Sequence, residues 1–486
     1  MKKHLLLLLL AGSAFRLAAA PGQIRWGSSG DPLNGLTITW SNSGAADSIR
    51  WGYTTGFEKG KFPGVKRAGY NTGVSFFKYV FGTANASSTI YYELFDSSVK
   101  SWGTQQTFAT APASNSTDFT FCALGDCRDD LNVLQTVSNL ASARKSALTV
   151  FNGDLTYDGN VPSEYDDFFS YASNFLANNV VYHAQGNHDA GSTPMYQNMF
   201  DLPTTSGSNL YYSFKYGNAI FITLNTESPS GQTTWLNNTL AAAAADPSIV
   251  WKIISFHKPF FTTGQHEGDM NSYRSSWWKA FDTYGVDLVL NGHDHNYQRS
   301  KPVNLSVSTT TPVSQYGSAA GQGRCEIVCG GAGAGLYTAG SNADAWAMNI
   351  FNSTYNYVYC EVKGCQIVIT AYDDSNTSLD SFTLDKSGTS VCKATGVKEA
   401  ITKFNPISVA PNPSEGPFTL HYRSELKGDA LIKIFDMTGK EVASEKASKT
   451  SETMDFNYDL SGRPKGIYTV SIIMGSQRDN SVLIVK

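Results

Sequence analysis

Five short stretches in the middle of the chain place oxygen and nitrogen donors at or just after apolar runs. They are Gly125-Asp126, Gly153-Asp154 with Tyr157, Gly186-Asn187-His188-Asp189, His257 behind Ile253-Ile254-Ser255-Phe256, and Gly292-His293-Asp294-His295 with Tyr297. Carboxylate, amide oxygen, phenolate and imidazole are hard or borderline ligands, suited to Fe, Mn or Zn. A glycine ahead of the donor lets the backbone turn tightly and approach a buried ion. His293 and His295 lie two residues apart, so an extended segment would point both the same way. Each stretch alone has an ordinary reading as a turn, a capped loop or a core histidine. Together, in order and each at a strand end, they predict a metal site in the crevice of a layered sheet.

The elements that must position these donors are legible as a change of period along the chain. Asp118 to Leu124, Ala147 to Phe151, Val180 to Ala184, Ala219 to Leu224, Ile249 to Ser255 and Val286 to Leu290 read as buried strands. Leu131, Leu134, Val137 and Leu140 mark one helix face, and a second helix is expected around Glu164 to Asn178. Strands alternating with helices predict an α/β layered core. From Pro21 to Pro112, short alternating runs punctuated by Gly, Asn and Ser predict a β-sandwich, and a second small β-sandwich begins near Glu399. The expected plan is a signal peptide over 1–20, sandwiches over 21–112 and 399–486, and the chemistry over 113–390.

Lys2 and Lys3, the apolar run Leu5 to Ala11 and the small residues Ala18 to Ala20 have the three-part form of a secretory signal, expected to be cleaved after Ala20. No later stretch approaches the ~20 apolar residues of a spanning helix, so the mature protein is expected to lack a membrane span. Across 486 residues the net charge is −4, which gives no basic footprint for nucleic acid or anionic membrane. Charged residues make up 16%, against about 25% in ordinary domains, and that excludes a long charged coiled coil. The cysteines number 7, an odd count that leaves a thiol unpaired within a monomer, and no CxxC pair suggests a cysteine-held zinc. Cys325 and Cys329, or Cys360 and Cys365, are close enough in sequence for local bridges; the connectivity stays open.

The segment from about Asp118 to Lys386 resembles the metallophosphoesterases and, more narrowly, the purple acid phosphatases. That family's pattern runs GD, GDxxY, GNH(D/E), a histidine after a hydrophobic strand, and GHxHxY. The resemblance implies an α/β fold: a metallophosphoesterase β-sandwich core flanked by helices in βαβαβ motifs, with all-β domains at either end. The N-terminal sandwich looks like the fibronectin type III-like domain of larger members. It also implies a binuclear centre, with Fe3+ on Asp126, Tyr157 and His295, a divalent ion (Zn2+, Mn2+ or Fe2+) on Asn187, His257 and His293, and Asp154 bridging. The implied activity is acid phosphatase, a metal-bound hydroxide attacking a phosphomonoester while His188 or His266 protonates the leaving alkoxide.

One departure is visible. The family often has GDxG where this chain has Gly125-Asp126-Cys127-Arg128, and Arg128 either reaches substrate phosphate or pairs with Asp129 or Asp130. The tail from Glu399, with Pro411 to Gly416, Phe435 to Lys440, Lys465 to Tyr468 and Val482 to Lys486, resembles the C-terminal sorting domain of type IX-secreted proteins. That implies the type IX machinery as partner and a secreted or cell-surface location. The alternatives are a phosphodiesterase or nucleotide-directed hydrolase on the same metals, and a surface binding module with an inactive site. Ligand loss would mark the last, and every expected ligand position is filled.

Overall fold

The structure is a computed structural model that describes residues 21–42, 47–69, 75–97, 99–340, 343–389, 392, 407–424, 426–475 and 477–486. The expected signal peptide therefore lies outside the described residues. The chain forms two compact units, one up to Thr395 and the other from Gly396.

Two sheets form the middle of the first unit. One runs in the order Val181–His183, Leu148–Phe151, Asp118–Leu124, Asn356–Lys363, Gln366–Asp373, Ser378–Asp385. The other runs Tyr212–Tyr216, Ala219–Thr223, Trp251–Ser255, Leu288–Asn291, Cys325–Cys329, Tyr297–Ser300, Met348–Asn352. Their faces meet through aromatic rings; Phe121 and Phe221 stand edge to face at 5.3 Å. Leu148–Phe151, Trp251–Ser255 and Leu288–Asn291 are buried along their whole length, as parallel strands covered on both faces must be.

Helices close the outer faces. Leu131–Ala143 starts where the Asp130 carboxylate caps the backbone N–H groups of Asn132 and Val133, and it buries Leu134, Val137 and Ala141. The single helix expected near Glu164 to Asn178 is two, Pro162–Tyr171 and Ser173–Asn178, broken at Ala172. Gln232–Ala245 is a full helix, although its sequence shows only a short helix-favouring alanine run. Its inward face is Gln232, Leu236, Leu240 and Ala243. With Ile222, Ile254 and Val289 of the sheet and Trp277, Trp278 and Phe281 beyond it, this face builds a separate apolar layer.

The N-terminal sandwich packs within the same unit. Its sheets are Gly22–Ser28, Asn34–Asn42, Ser75–Thr83, Val65–Arg67 and, opposite, Gly60–Pro63, Ser48–Gly52, Thr89–Asp96, Ser101–Trp102 with Gln106–Ala109. Asp201 of the middle segment accepts from Arg67 Nη1 and Lys78 Nζ, both at 2.8 Å, and so ties the sandwich to that segment. The second unit is all-β: Ile407–Ala410, Pro417–Arg423 and Thr453–Asp459 in one sheet, and Glu441–Lys449, Gly428–Asp436, Gly466–Met474 and Gln477–Val485 in the other.

Cys365 is bridged to Cys392, and the other cysteines are free and buried. Neither local pair suggested by sequence spacing forms. Cys325 and Cys329 sit on one strand, where four steps of about 3.3 Å hold them too far apart to bond.

His183 lies between the Phe151 and Phe200 rings, at 5.5 and 3.7 Å, with both ring nitrogens unpaired among the described residues. Burial and the nearby Arg25 push its pKa down to about 3 from 6.5. Between those values the unfolded chain takes a proton that the fold refuses, so the contribution of His183 to stability falls as pH drops from 6.5 toward 3, at about 1.4 kcal/mol per pH unit. His183→Phe is expected to remove that slope, checked by urea midpoints at the two ends of the window.

Candidate metal centre

All five donor stretches follow the C-terminal ends of parallel strands: Asp118–Leu124, Leu148–Phe151, Val181–His183, Trp251–Ser255 and Leu288–Asn291. The two sheets bring them to one crevice, where such folds present ligands. Asp126, Asp154 and His293 adopt positive φ of 61°, 56° and 70°. Left-handed backbone at non-glycine residues costs energy and persists where the surroundings hold it. Close approach also explains two glycines. A Cβ on Gly292 would stand 2.2 Å from Asp126 Oδ2, and one on Gly186 would stand 2.1 Å from Asp154 Oδ1.

The donors fall into two groups that share Asp154. In the first, the Asp126 and Asp154 carboxylates and His295 offer ligand atoms within 4.8 Å of one another. In the second, His257 Nε2 lies 2.9 Å from Asn187 Oδ1, 3.1 Å from His293 Nδ1 and 3.3 Å from Asp154 Oδ1. Asp154 thus turns Oδ1 to one group and Oδ2 to the other, where it meets Arg128.

The tautomers follow from carbonyl partners, which can only accept. His257 Nδ1 donates to Asn152 O at 2.7 Å, and His295 Nδ1 donates to Gly335 O at 2.7 Å. Each neutral ring therefore aims an Nε2 lone pair into the crevice: that of His257 faces the acceptors Asn187 Oδ1 and Asp154 Oδ1, and that of His295 meets the Arg128 guanidinium, a donor, at 3.0 Å. Facing lone pairs about 3 Å apart need a cation between them, either a proton or a metal ion, and this donor chemistry fits a metal. The electrostatics agree. Burial opposes a charge on His257, yet Asp154 and Asp126 outweigh it and push the imidazole up to about 10. Burial lifts Asp126 to about 7, while burial and the Arg128 guanidinium hold His295 down at about 4.

The expected extended run through His293 and His295 is not formed. Asp294 N bonds Gly292 O and Asn296 N bonds Asp294 O, a tight turn that sends the two imidazoles to different groups. Tyr157 stands apart from both. The residue is 63% exposed, and its ring lies near His188, centroids 5.4 Å apart. His188 donates its backbone N–H to Asp154 Oδ1 at 3.0 Å, and its Nδ1 meets Tyr157 O at 2.6 Å. His266 lies against His293, ring centroids 3.9 Å apart and planes tilted by 36°. Of the sequence alternatives for Arg128, the acidic partner is neither neighbour in first place: its closest carboxylate is Asp154, at 2.7 Å.

Several residues with positioning roles went unassigned in the sequence. Asp189 accepts from the backbone of Asp154, Leu155 and Gly186, locking two donor loops together. Buried Asp294 accepts from Thr262, Gln265 N and His266 N, which holds the loop carrying His266. Both lie inside the donor stretches, so position alone was the available signal. Asp269, 2.9 Å from His293 Nε2, and Tyr337, stacked on His295 at 4.0 Å, come from loops with no pattern to mark them.

Residues 119–297 match the model of the calcineurin-like phosphoesterases, and 408–486 match the secretion system C-terminal sorting domain. A chain with this fold and this crevice carries a calcineurin-like phosphoesterase domain, a class built around a binuclear metal centre, and ends in a type IX sorting domain. The proteins it is similar to include purple acid phosphatases. One from Arabidopsis thaliana is 26% identical over 312 residues, covering 59% of this chain and 68% of the relative. A second Arabidopsis protein, named a probable inactive purple acid phosphatase, is 30% identical over 274 residues, covering 50% of this chain and 42% of that one. An uncharacterized Mycobacterium tuberculosis protein is 30% identical over 196 residues, covering 34% of this chain and 37% of that one. This chain thus spans less than half the length of the last two. Among solved structures, a purple acid phosphatase from yellow lupin seeds superposes with a TM-score of 0.62 at 18% identity, covering 75% of this chain and 74% of that one.

Adding Mn2+ or Zn2+ to dialysed protein is expected to stabilise it, by about 2.7 kcal/mol when the ion is at 100 times its Kd. His257→Ala should lose most of that increment in a thermal melt while retaining the circular dichroism spectrum of the parent.

Proposed function

We propose that this chain is an exported acid phosphatase of purple acid phosphatase type. It would hydrolyse phosphomonoesters at a centre of Fe3+ and a divalent ion, Zn2+, Mn2+ or Fe2+. The observation that carries this reading is the convergence of Asp126, Asp154, Asn187, His257, His293 and His295 on one crevice, with lone pairs facing lone pairs. Bound ions would supply Lewis acidity toward the phosphoryl oxygens and an activated water.

The protein's own groups do the rest. Asp154, with one oxygen turned to each donor group, sets the spacing between the two halves. Asn152 O and Gly335 O fix the donor tautomers of His257 and His295. The leaving alcohol needs a proton, and His188 and His266 are the candidate donors. His188 is anchored on Asp154 and on Tyr157 O, and His266 is carried by the loop that Asp294 holds. The signal peptide and a fibronectin type III-like N-terminal sandwich complete the proposal: an N-terminal export signal, a sandwich that braces the catalytic layers, and a tail for the type IX machinery.

The ferric part of this reading requires the Tyr157 ring to turn inward from its exposed position. Iron-loaded protein is then expected to absorb visible light, and Tyr157→Phe to bleach it with the fold intact. A colourless iron-loaded protein, or a band that survives Tyr157→Phe, would remove the tyrosinate from the centre.

Steady-state rates on the monoester and the diester of one phenol test the activity, with a higher kcat/KM expected for the monoester. A preference for the diester would favour the phosphodiesterase reading. Metal-replete protein that hydrolyses neither would favour a binding module with an inactive site, the state that the name of one relative indicates for that protein.

A further inference from the structure

Arg128, two residues beyond Asp126, lays its guanidinium in the crevice, where its side chain is only 8% exposed. Nη1 lies 2.7 Å from Asp154 Oδ2 and 3.0 Å from His295 Nε2. Nε is buried without a hydrogen-bond partner among the described residues, and Tyr337, stacked on His295, lies beside the group. Apart from the expected ligands Asp126 and Asp154, the carboxylate near it is Asp129, whose Oδ1 is 3.9 Å from Nε. That side chain is 38% exposed, and its Oδ2 accepts from Gly335 N.

In the two-ion reading Asp154 and His295 give those lone pairs to a metal ion, and the guanidinium then keeps no buried anion of its own. A half-exposed carboxylate nearly 4 Å away answers a charge weakly, while an unpaired buried cation is strongly unfavourable. Anchored next to the ligand Asp126, the freed group stays beside the centre, and an anion bound there becomes its partner. Phosphate matches its planar fork with two parallel hydrogen bonds. Lys258, next to the ligand His257, has its charge answered already, with Nζ turned to Glu227 at 3.0 Å.

The ester that gains follows from the oxygens it presents. A phosphomonoester has three unesterified oxygens and up to two charges; a diester has two such oxygens and one charge. With one oxygen given to each half of the centre, a monoester still offers an anionic oxygen to a guanidinium. A diester offers there an alkoxy oxygen, which carries a substituent and accepts poorly.

We infer that Arg128 is the specificity-determining residue of this site, holding the third unesterified oxygen of a phosphomonoester and so setting the preference for monoester over diester. This rests on the two-ion phosphatase reading above and adds to it the group that reads the charge of the ester.

Full-length, metal-loaded wild type and Arg128→Met are compared on the phenyl monoester and a phenyl diester of phosphate. Bound metal is counted by mass spectrometry, and inorganic phosphate is titrated in thermal melts. Arg128→Met is expected to keep its metal and to lose at least about tenfold in kcat/KM on the monoester, with a much smaller loss on the diester. Its stabilisation by inorganic phosphate should also fall below that of wild type. Arg128→Lys, which keeps the charge but not the fork, should lie between the two on the monoester. Should Arg128→Met fail to fold, Arg128→Lys decides, a lowered monoester-to-diester ratio supporting the inference and an unchanged ratio overturning it. Equal losses on both esters, phosphate stabilisation equal to wild type, or loss of bound metal in Arg128→Met would overturn the inference and leave the phosphatase reading standing. Wild-type protein that hydrolyses neither ester, or prefers the diester, would overturn that reading itself.

Discussion

A surplus of lone pairs over protons, buried where water cannot relieve it, governs this molecule. Asp126, Asp154, His257, His293 and His295 lie in the crevice almost wholly out of solvent. Their donor atoms face one another at about hydrogen-bonding distance with too few hydrogens between them. Burying unpaired charge and unpaired acceptors is among the costliest things a fold can do. The arrangement persists because every donor is held from behind, and because a cation answers the deficit in front.

The support behind the donors is visible in detail. Parallel strands end at the crevice and deliver one donor loop each, so the positions of the loops are set by the sheets rather than by the loops' own flexibility. Asp189 and Asp294 then stitch those loops to one another through backbone N–H groups. Left-handed backbone at Asp126, Asp154 and His293 stores strain that this stitching must hold. Two backbone carbonyls choose which imidazole nitrogen faces the crevice. On the open side, one half of the crevice finds its cation in Arg128, while in the other His257 itself is driven toward the charged form. The asymmetry between halves follows from one side chain two residues past a ligand.

Legibility in the sequence followed the range of the interaction involved. Fully buried strands such as Trp251–Ser255 announce themselves through a run of apolar residues, and donor types at their ends could be read beside them. The helix Gln232–Ala245 was obscured because alanines on its outer face hide the contrast that marks an amphipathic period. Tyr212–Tyr216, Met348–Asn352 and Ser378–Asp385 have mixed faces, so little distinguished them from loop. The turn at His293 was missed because it depends on Asp126, distant in sequence, accepting the His293 N–H. Cys392 found Cys365 for the same reason: chain proximity does not measure spatial proximity.

By itself the sequence determined which chemical groups are available and which strand end carries each, because residue identity and hydrophobic period are local properties. It also determined the sorting tail, whose residues stand together in one stretch. The tertiary structure decided how those groups divide into two donor sets, which imidazole nitrogen each offers, that Tyr157 faces outward, and that Arg128 enters the crevice. Those outcomes turn on distances of about 3 Å between residues far apart in the chain, and such distances exist only once the two sheets have closed on one another.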